Sequence, residues 1–486
     1  MATTLVELFL AGAREDPGRP FLLFEGTTHS RGEIADAVLR AAGWFRRARF
    51  AAGDRVAVML PNEPEFLVAW FAASLAGAVV VPLDPGLGSE ELADRLAESR
   101  PKALIARPPA LSAILALGER CPALQLIVVG EAPMGTTPWS DLLAGRPAKL
   151  VPPPPDAPMQ IIYTGGSSWR ARGVPWRHDF LPAGGLGLSK LLGICGNDRL
   201  MIVLPLFGAY AQLSVAVAVA SGASILLERR FAAGTFWNSA RKGGATQVSL
   251  SGLLLSELHS NPPRKADRDH RLRLVLSIAT PKDLHEAVEN RFGVCVVEAF
   301  GLTEAGLLAV NPVERGRRKL GTVGLPVPWR EVAVLDERLR RRAPGVIGEI
   351  CVRSGTGWLR SGDLGLSDEE GFITFVDRRE DVLRRAKKTF STRPIENALL
   401  RHPAVADAAV IAMRHGRSDE PLAVVVLRGP VRFEELTSFC REWLDGHPIP
   451  ACFKAVERIP KTPSGRIRKG ELRALPGLFD HLHRVE

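Results

Sequence analysis

The sequence predicts an α/β fold: a large N-terminal domain of mixed sheets flanked by helices with a small β subdomain, followed by a small α+β domain. Three observations predict it. Short apolar and β-branched runs (Val56–Leu60, Val79–Val81, Leu274–Ile278) alternate with apolar stretches of helical length, the pattern of a mostly parallel sheet covered by helices. From Gly321 the runs shorten and turn signals crowd in, which suggests the β subdomain. At 486 residues the chain is too long for one core, so two or three domains are expected, here 1–376 and 377–486.

The elements follow in order. Residues 3–50 read as helical stretches around a short strand pair at Phe21–Glu25. Gly53-Asp54-Arg55 turns into the strand Val56–Leu60, and Pro61-Asn62 opens a helix carrying Phe66, Trp70 and Phe71. The strand Val79–Val81 and a helix at Glu90–Ser99 follow, then the stiff spacer Pro152–Pro155. A helix at Leu213–Ala220 and strands at Ile225–Leu227, Leu274–Ile278 and Val294–Val297 continue the alternation. After the β subdomain, with a strand at Gly348–Val352, come a helix at Pro394–Leu400, strands at Val405–Met413 and Leu422–Leu427, a helix at Phe433–Trp443 and a basic loop at Lys461–Lys469.

Composition narrows the class. With 46% hydrophobic and 24% charged residues the chain has an ordinary globular make-up. The net charge of +10 gathers in arginine clusters (Arg315, Arg317 and Arg318; Arg338–Arg342; Arg378–Lys388). These are either solvated surface or a face for an acidic partner such as CoA phosphates, a carrier protein or a membrane surface; no nucleic-acid reading module accompanies them. Six cysteines without paired spacing fit buried thiols in a reducing cytoplasm. The first residues carry no basic lead or long apolar core, so no signal peptide is expected. The apolar run Phe66–Leu83 holds Ser74, Gly77 and Pro82 and reads as a buried helix and strand, with no transmembrane segment.

Chemistry concentrates first at Ile161–His178, IIYTGGSSWRARGVPWRH. An apolar strand that ends in Thr164-Gly165-Gly166-Ser167-Ser168 leaves backbone N–H groups and hydroxyls to face an anion, and Arg170, Arg172 and Arg177 would neutralise a polyphosphate. It is not the G-x-x-x-x-G-K-[ST] loop. Further motifs follow: Phe300-Gly301-Leu302-Thr303-Glu304, Ser361-Gly362-Asp363-Leu364-Gly365, Arg378 with Asp381, and Pro460-Lys461-Thr462-Pro463-Ser464-Gly465-Arg466. Taken locally, Thr303-Glu304 after a strand reads as a helix N-cap and Gly362-Asp363 as a turn. The chain lacks a G-x-S-x-G elbow and a dinucleotide glycine fingerprint, which excludes the hydrolase and Rossmann readings.

In this order and spacing the motifs resemble those of the AMP-forming adenylate ligases: acyl-CoA synthetases, aryl-acid ligases, nonribosomal adenylation domains and luciferases. The resemblance implies that separated pieces of chain meet on one ATP. It assigns Thr164, Gly165, Gly166, Ser167, Ser168 and Arg172 to the phosphates, with Phe300 and Gly301 also binding nucleotide. Thr303 would stand beside the α-phosphate, Glu304 near Mg²⁺, and Asp363 on the ribose hydroxyls with Arg378 helping. Thr303, Glu304 and Arg466 are the catalytic candidates, and Glu304 the metal ligand. Phe207, Gly208, Tyr210 and Glu298 would line the acid pocket, and Glu380 would be the hinge of a mobile C-terminal domain.

The chain departs from the family at several places. Arg172 and Arg466 stand where relatives carry lysine, Trp169 where they carry glycine, and Gly208 where histidine is frequent. Arginine keeps the charge, but its planar fork does not replace an ammonium. Ala386-Lys387-Lys388 replaces the Gly-Gly-Glu-like loop that meets the pantetheine arm, and the segment between Val352 and Trp358 is short. The resemblance implies adenylation of a carboxylic acid with pyrophosphate release and acyl transfer to CoA or a carrier-protein phosphopantetheine. Basic charge favours an acidic acyl carrier protein, and an aryl or fatty acid is favoured over an amino acid. The competing reading is a degenerate relative that binds nucleotide or acyl ligand with little or no turnover.

Overall fold

A computed structural model describes residues 3–115, 124–163, 172–385, 388–415, 418–444, 446–461 and 467–485. They form two compact units, one of residues 3–163 and 173–321, the other of residue 172 and residues 322–485. The β subdomain groups with the C-terminal residues, so the expected division at 376/377 falls inside the second unit, in the strand Ile373–Arg378.

The first unit holds two sheets. One has seven strands in the order Thr137–Pro138, Gln125–Val128, Ala103–Ala106, Arg55–Met59, Val79–Pro82, Pro158–Tyr163, Gly173–Arg177. All neighbours are parallel except the last pair, in which Gly173–Arg177 folds back along Pro158–Tyr163. The other sheet runs, in this unit, Gly306–Val310, Cys295–Leu302, Leu274–Ile278, Gln247–Ser251, Arg199–Ile202, Ser224–Leu227, Pro20–Phe24, Thr27–Ser30. Its inner pairs are parallel, and an antiparallel hairpin closes each end. Inner strands such as Val56–Val58 are wholly buried, as a parallel sheet covered on both faces requires.

The apolar run from Phe66 is a core element. Every residue from Phe66 to Leu75 in the helix Pro64–Leu75 is buried, so the helix has no polar face. Among the described residues no helix is long and apolar enough to cross a membrane. Asn62, just ahead of it and 2% exposed, donates to the carbonyls of Leu204 and Glu228 and accepts from Leu206 N–H, at 2.9, 2.9 and 2.8 Å. A buried amide that satisfies three backbone groups fixes the segment that leads to Phe207.

The second unit begins with a four-stranded antiparallel sheet, Val332–Leu335, Gly348–Ser354, Gly357–Ser367 and Ile373–Arg378. The short segment before Trp358 is a two-residue hairpin turn, Gly355-Thr356, closed by the pair Ser354↔Gly357. Next come the ribbon Leu383–Arg385 and Lys388–Phe390, the helix Arg393–Leu400, the long hairpin Val405–His415 and Ser418–Leu427, the helix Phe433–Trp443 and the strand Cys452–Ala455. Ile395, Leu399, Val410, Val425, Leu436 and Phe453 share one core, so this stretch is an α+β body as read from the sequence.

Candidate functional site

The Phe300 motif lies on the strand Cys295–Leu302, which runs past the expected Val297 and turns back into Gly306–Val310. Thr303-Glu304-Ala305 is the connecting turn, with Leu302 paired to Gly306 and Ala305 N–H donating to Leu302 at 3.2 Å. Gly306 has φ +74°, the left-handed residue that a three-residue hairpin loop needs. The apolar run Leu307–Val310 then pairs as a strand, which is why Thr303-Glu304 does not start a helix here. Gly301 sits at the bulge beside Phe300. Glu304 is exposed and makes no hydrogen bond or ion pair with another described residue. A solvent-facing carboxylate with unengaged oxygens suits a hard cation, so the donor chemistry fits Mg²⁺.

Two of the acid-pocket candidates meet on the sheet: Tyr210 reaches the strand Leu274–Ile278, which pairs with the strand that carries Glu298. Gly208 is the N-cap of the helix Ala209–Ser221, so Tyr210 stands in its first turn. The Tyr210 hydroxyl donates to the Leu276 carbonyl at 3.0 Å. Burial, then the charge of Glu298, holds this phenol well above the usual tyrosine range, so it stays a donor. Glu298 is 7% exposed, and both its oxygens accept from Thr280 N–H, at 3.2 and 3.3 Å. Thr280 also donates from its hydroxyl to Ser277 Oγ at 2.6 Å, and Ala279 beside it has φ +58°, a strained value for a residue with a Cβ. Glu298 thus holds a backbone turn. Phe207 is half-buried.

In the second unit Asp363 and Arg378 are direct cross-strand partners. The Asp363 side chain is 3% exposed, with Arg378 Nε 3.2 Å from its carboxylate. Gly362 before it has φ +76°. Glu349, 6% exposed, accepts from Gly362 N–H at 3.0 Å, Arg360 at 2.7 Å and Arg379 at 3.3 Å. One buried carboxylate therefore pins the kink that presents Asp363. Glu380 lies in the exposed turn after Ile373–Arg378; its carbonyl accepts from Arg473 at 3.2 Å, and Arg473 also pairs with Asp381.

Other candidates stand at the edge of what is described. Arg172 is exposed, immediately before the strand Gly173–Arg177. Thr164, Gly165, Gly166, Ser167, Ser168, Trp169, Ala386, Lys387 and Arg466 lie outside the described residues. The flanks of the last segment are fixed: Lys461 and Ile467 pair as a β-bridge, and Lys461 is 2.6 Å from Asp407.

Sequence reasoning missed two residues. Glu349 acts through a sheet kink that local sequence does not disclose. Trp176 is 3% exposed, and its indole N–H donates to the Thr303 carbonyl at 2.7 Å across 127 positions of chain. Its signal was a large aromatic just past a phosphate-type loop.

A model of the AMP-binding enzyme family matches residues 9–359, and one of the AMP-binding enzyme C-terminal domain matches 394–466. The chain is 30% identical to the crotonobetaine/carnitine–CoA ligase of Salmonella arizonae, over 96% of this chain and 97% of that one. It is 28% identical to the sulfoacetate–CoA ligase of Cupriavidus necator, again over 96% and 97%. It is also similar to the o-succinylbenzoate coenzyme A synthetase (MenE) of Bacillus subtilis solved with ATP and magnesium ion, at 25% identity, a TM-score of 0.84, and coverage of 96% and 99%. With both family models in chain order and a relative matched nearly end to end, the chain belongs to the AMP-binding enzymes, the AMP-forming adenylate ligases.

Proposed function

We propose that this enzyme joins a small carboxylic acid to the α-phosphate of ATP, releases pyrophosphate, and passes the acyl group to the thiol of CoA with loss of AMP. The observation that carries the reading is Glu304, an exposed carboxylate without a partner among the described residues, presented beside Thr303 by a braced hairpin. Mg²⁺, when bound, gathers phosphate oxygens and neutralises their charge, and Glu304 would hold it. Asp363 takes the ribose hydroxyls as acceptor, with Arg378 beside it at 3.2 Å. Thr303 donates at the α-phosphate. Thr164–Ser168 and Arg172 bind the outer phosphates, and Arg466 bridges the reacting anions.

CoA is preferred to a carrier protein because the relatives above are named as CoA ligases. An aryl or aliphatic acid is preferred to an amino acid because Glu298, the acidic residue among the pocket candidates, is engaged by Thr280 N–H. Residues 377–486 act as a mobile domain turning about Glu380. That boundary is supported by the gap between the two family matches, which end at 359 and resume at 394. The described cysteines are free thiols, which fits the cytoplasm.

The test is pyrophosphate release with Mg-ATP and hydroxylamine over a panel of aryl, aliphatic and small polar acids. Release that depends on one acid and disappears in Asp363→Ala supports the reading. Silence across the panel, with ATP still raising Tm, favours a protein that binds without turning over.

A further inference from the structure

Trp176 lies on the strand Gly173–Arg177, which follows the phosphate-loop segment and is antiparallel to Pro158–Tyr163. Its ring packs on Phe180, with centroids 4.5 Å apart. The two aromatics grip both ends of the Thr303–Gly306 turn. Trp176 Nε1 donates to the Thr303 carbonyl at 2.7 Å, and a Cβ built at Gly306 would sit 3.1 Å from the Phe180 ring. The contact is specific: an indole has one donor, and here it is buried and well inside hydrogen-bond range.

We propose that Trp176 is a positioning residue for the proposed reaction: its indole N–H fixes the Thr303 carbonyl and thereby sets where Thr303 and Glu304 stand. The inference rests on the adenylation reading and deepens it. Thr303 and Glu304 occupy a turn of only three residues, so an anchor on the Thr303 peptide aims both side chains at once. The strand carrying the anchor adjoins the phosphate segment. Trp176 therefore holds the turn as an outer-shell partner orients a metal ligand.

Trp176→Phe keeps a ring on Phe180 and removes the N–H. In acid-dependent pyrophosphate release it is expected to lower kcat by about tenfold and to raise the Mg²⁺ concentration for half-maximal rate by a similar factor. KM for the acid stays unchanged. Unaltered kcat and Mg²⁺ dependence overturn the inference. So does a joint fall in kcat, acid affinity and Tm with the Mg²⁺ dependence intact, since that marks packing alone. If Trp176→Phe does not fold, benzothienylalanine at position 176 keeps the ring size and drops only the N–H, and the same outcomes decide. A wild-type protein that neither turns over any acid nor binds Mg-ATP in calorimetry overturns the adenylation reading and this inference together. A working wild type matched by the variant overturns this inference alone.

Discussion

The turn at Thr303-Glu304 and the kink at Gly362-Asp363 each present one carboxylate, and they are held in opposite ways. Thr303-Glu304 is held by neutral groups, the Trp176 indole and hairpin backbone, and Glu304 is left unengaged among the described residues. Gly362-Asp363 is held by charge: Glu349 gathers Arg360, Arg379 and the Gly362 amide, and Asp363 is buried against Arg378. The difference follows from what each carboxylate would meet. A group that binds a metal through its own charge must not be neutralised beforehand. A group that accepts hydroxyl hydrogens needs its carboxylate fixed in place, and a neighbouring guanidinium fixes it.

The largest effect should come from Glu304→Ala, which removes a carboxylate that has no partner among the described residues. Acid-dependent pyrophosphate release is expected to fall about 10²–10³-fold, with Tm unchanged, by steady-state assay and differential scanning calorimetry. An equal drop in Tm would mean that Glu304 is structural and would erase the contrast. Asp363→Asn should cost about 10²-fold, because an amide accepts less well than a carboxylate and carries no charge toward Arg378. Unlike Glu304→Ala it should also lower Tm.

A third effect separates the regions by pH. His178, which ends the segment carrying Trp176, is 1% exposed, and neither ring nitrogen has a hydrogen-bond partner among the described residues. Burial pushes it down to about 4, against the smaller opposite pull of Glu7 and Asp179. Its pKa is lower folded than unfolded, so the unfolded chain binds the extra proton. The contribution is complete above about 6.5 and is lost as pH falls toward 4, reaching about 2–3 kcal/mol at the acid end. Urea melts across that window should show the loss, and His178→Asn should flatten it. The smallest effect is expected from Glu349→Gln, about 1.5–2 kcal/mol of stability with activity falling less than in Asp363→Asn. A larger activity loss than for Asp363→Asn would mean that Glu349 does more than hold the kink.

Much of the scaffold could be read in advance, because buried parallel strands announce themselves as uninterrupted apolar runs. Leu274–Ile278 and the helix Phe433–Trp443 have the expected limits, and the helix expected at Leu213 begins at Ala209. The motifs marked where chemistry would lie, yet local sequence misread how they are shaped. Thr303-Glu304 has helix-cap chemistry, but strand pairing by Leu307–Val310 overrides it. The supports were illegible for a simpler reason. Trp176 meets Thr303 and Glu349 meets Gly362 only through tertiary structure, and no periodicity records a contact of that range.

The division of labour between Glu304 and Asp363 is tested most directly by calorimetry with two ligands, AMP without metal and Mg-ATP. The account predicts that Glu304→Gln keeps AMP affinity within about threefold and loses the gain that Mg²⁺ brings to ATP, whereas Asp363→Asn weakens both ligands alike, by about tenfold or more. If both variants lose AMP and Mg-ATP binding in the same proportion, the two carboxylates do one job and the account is wrong.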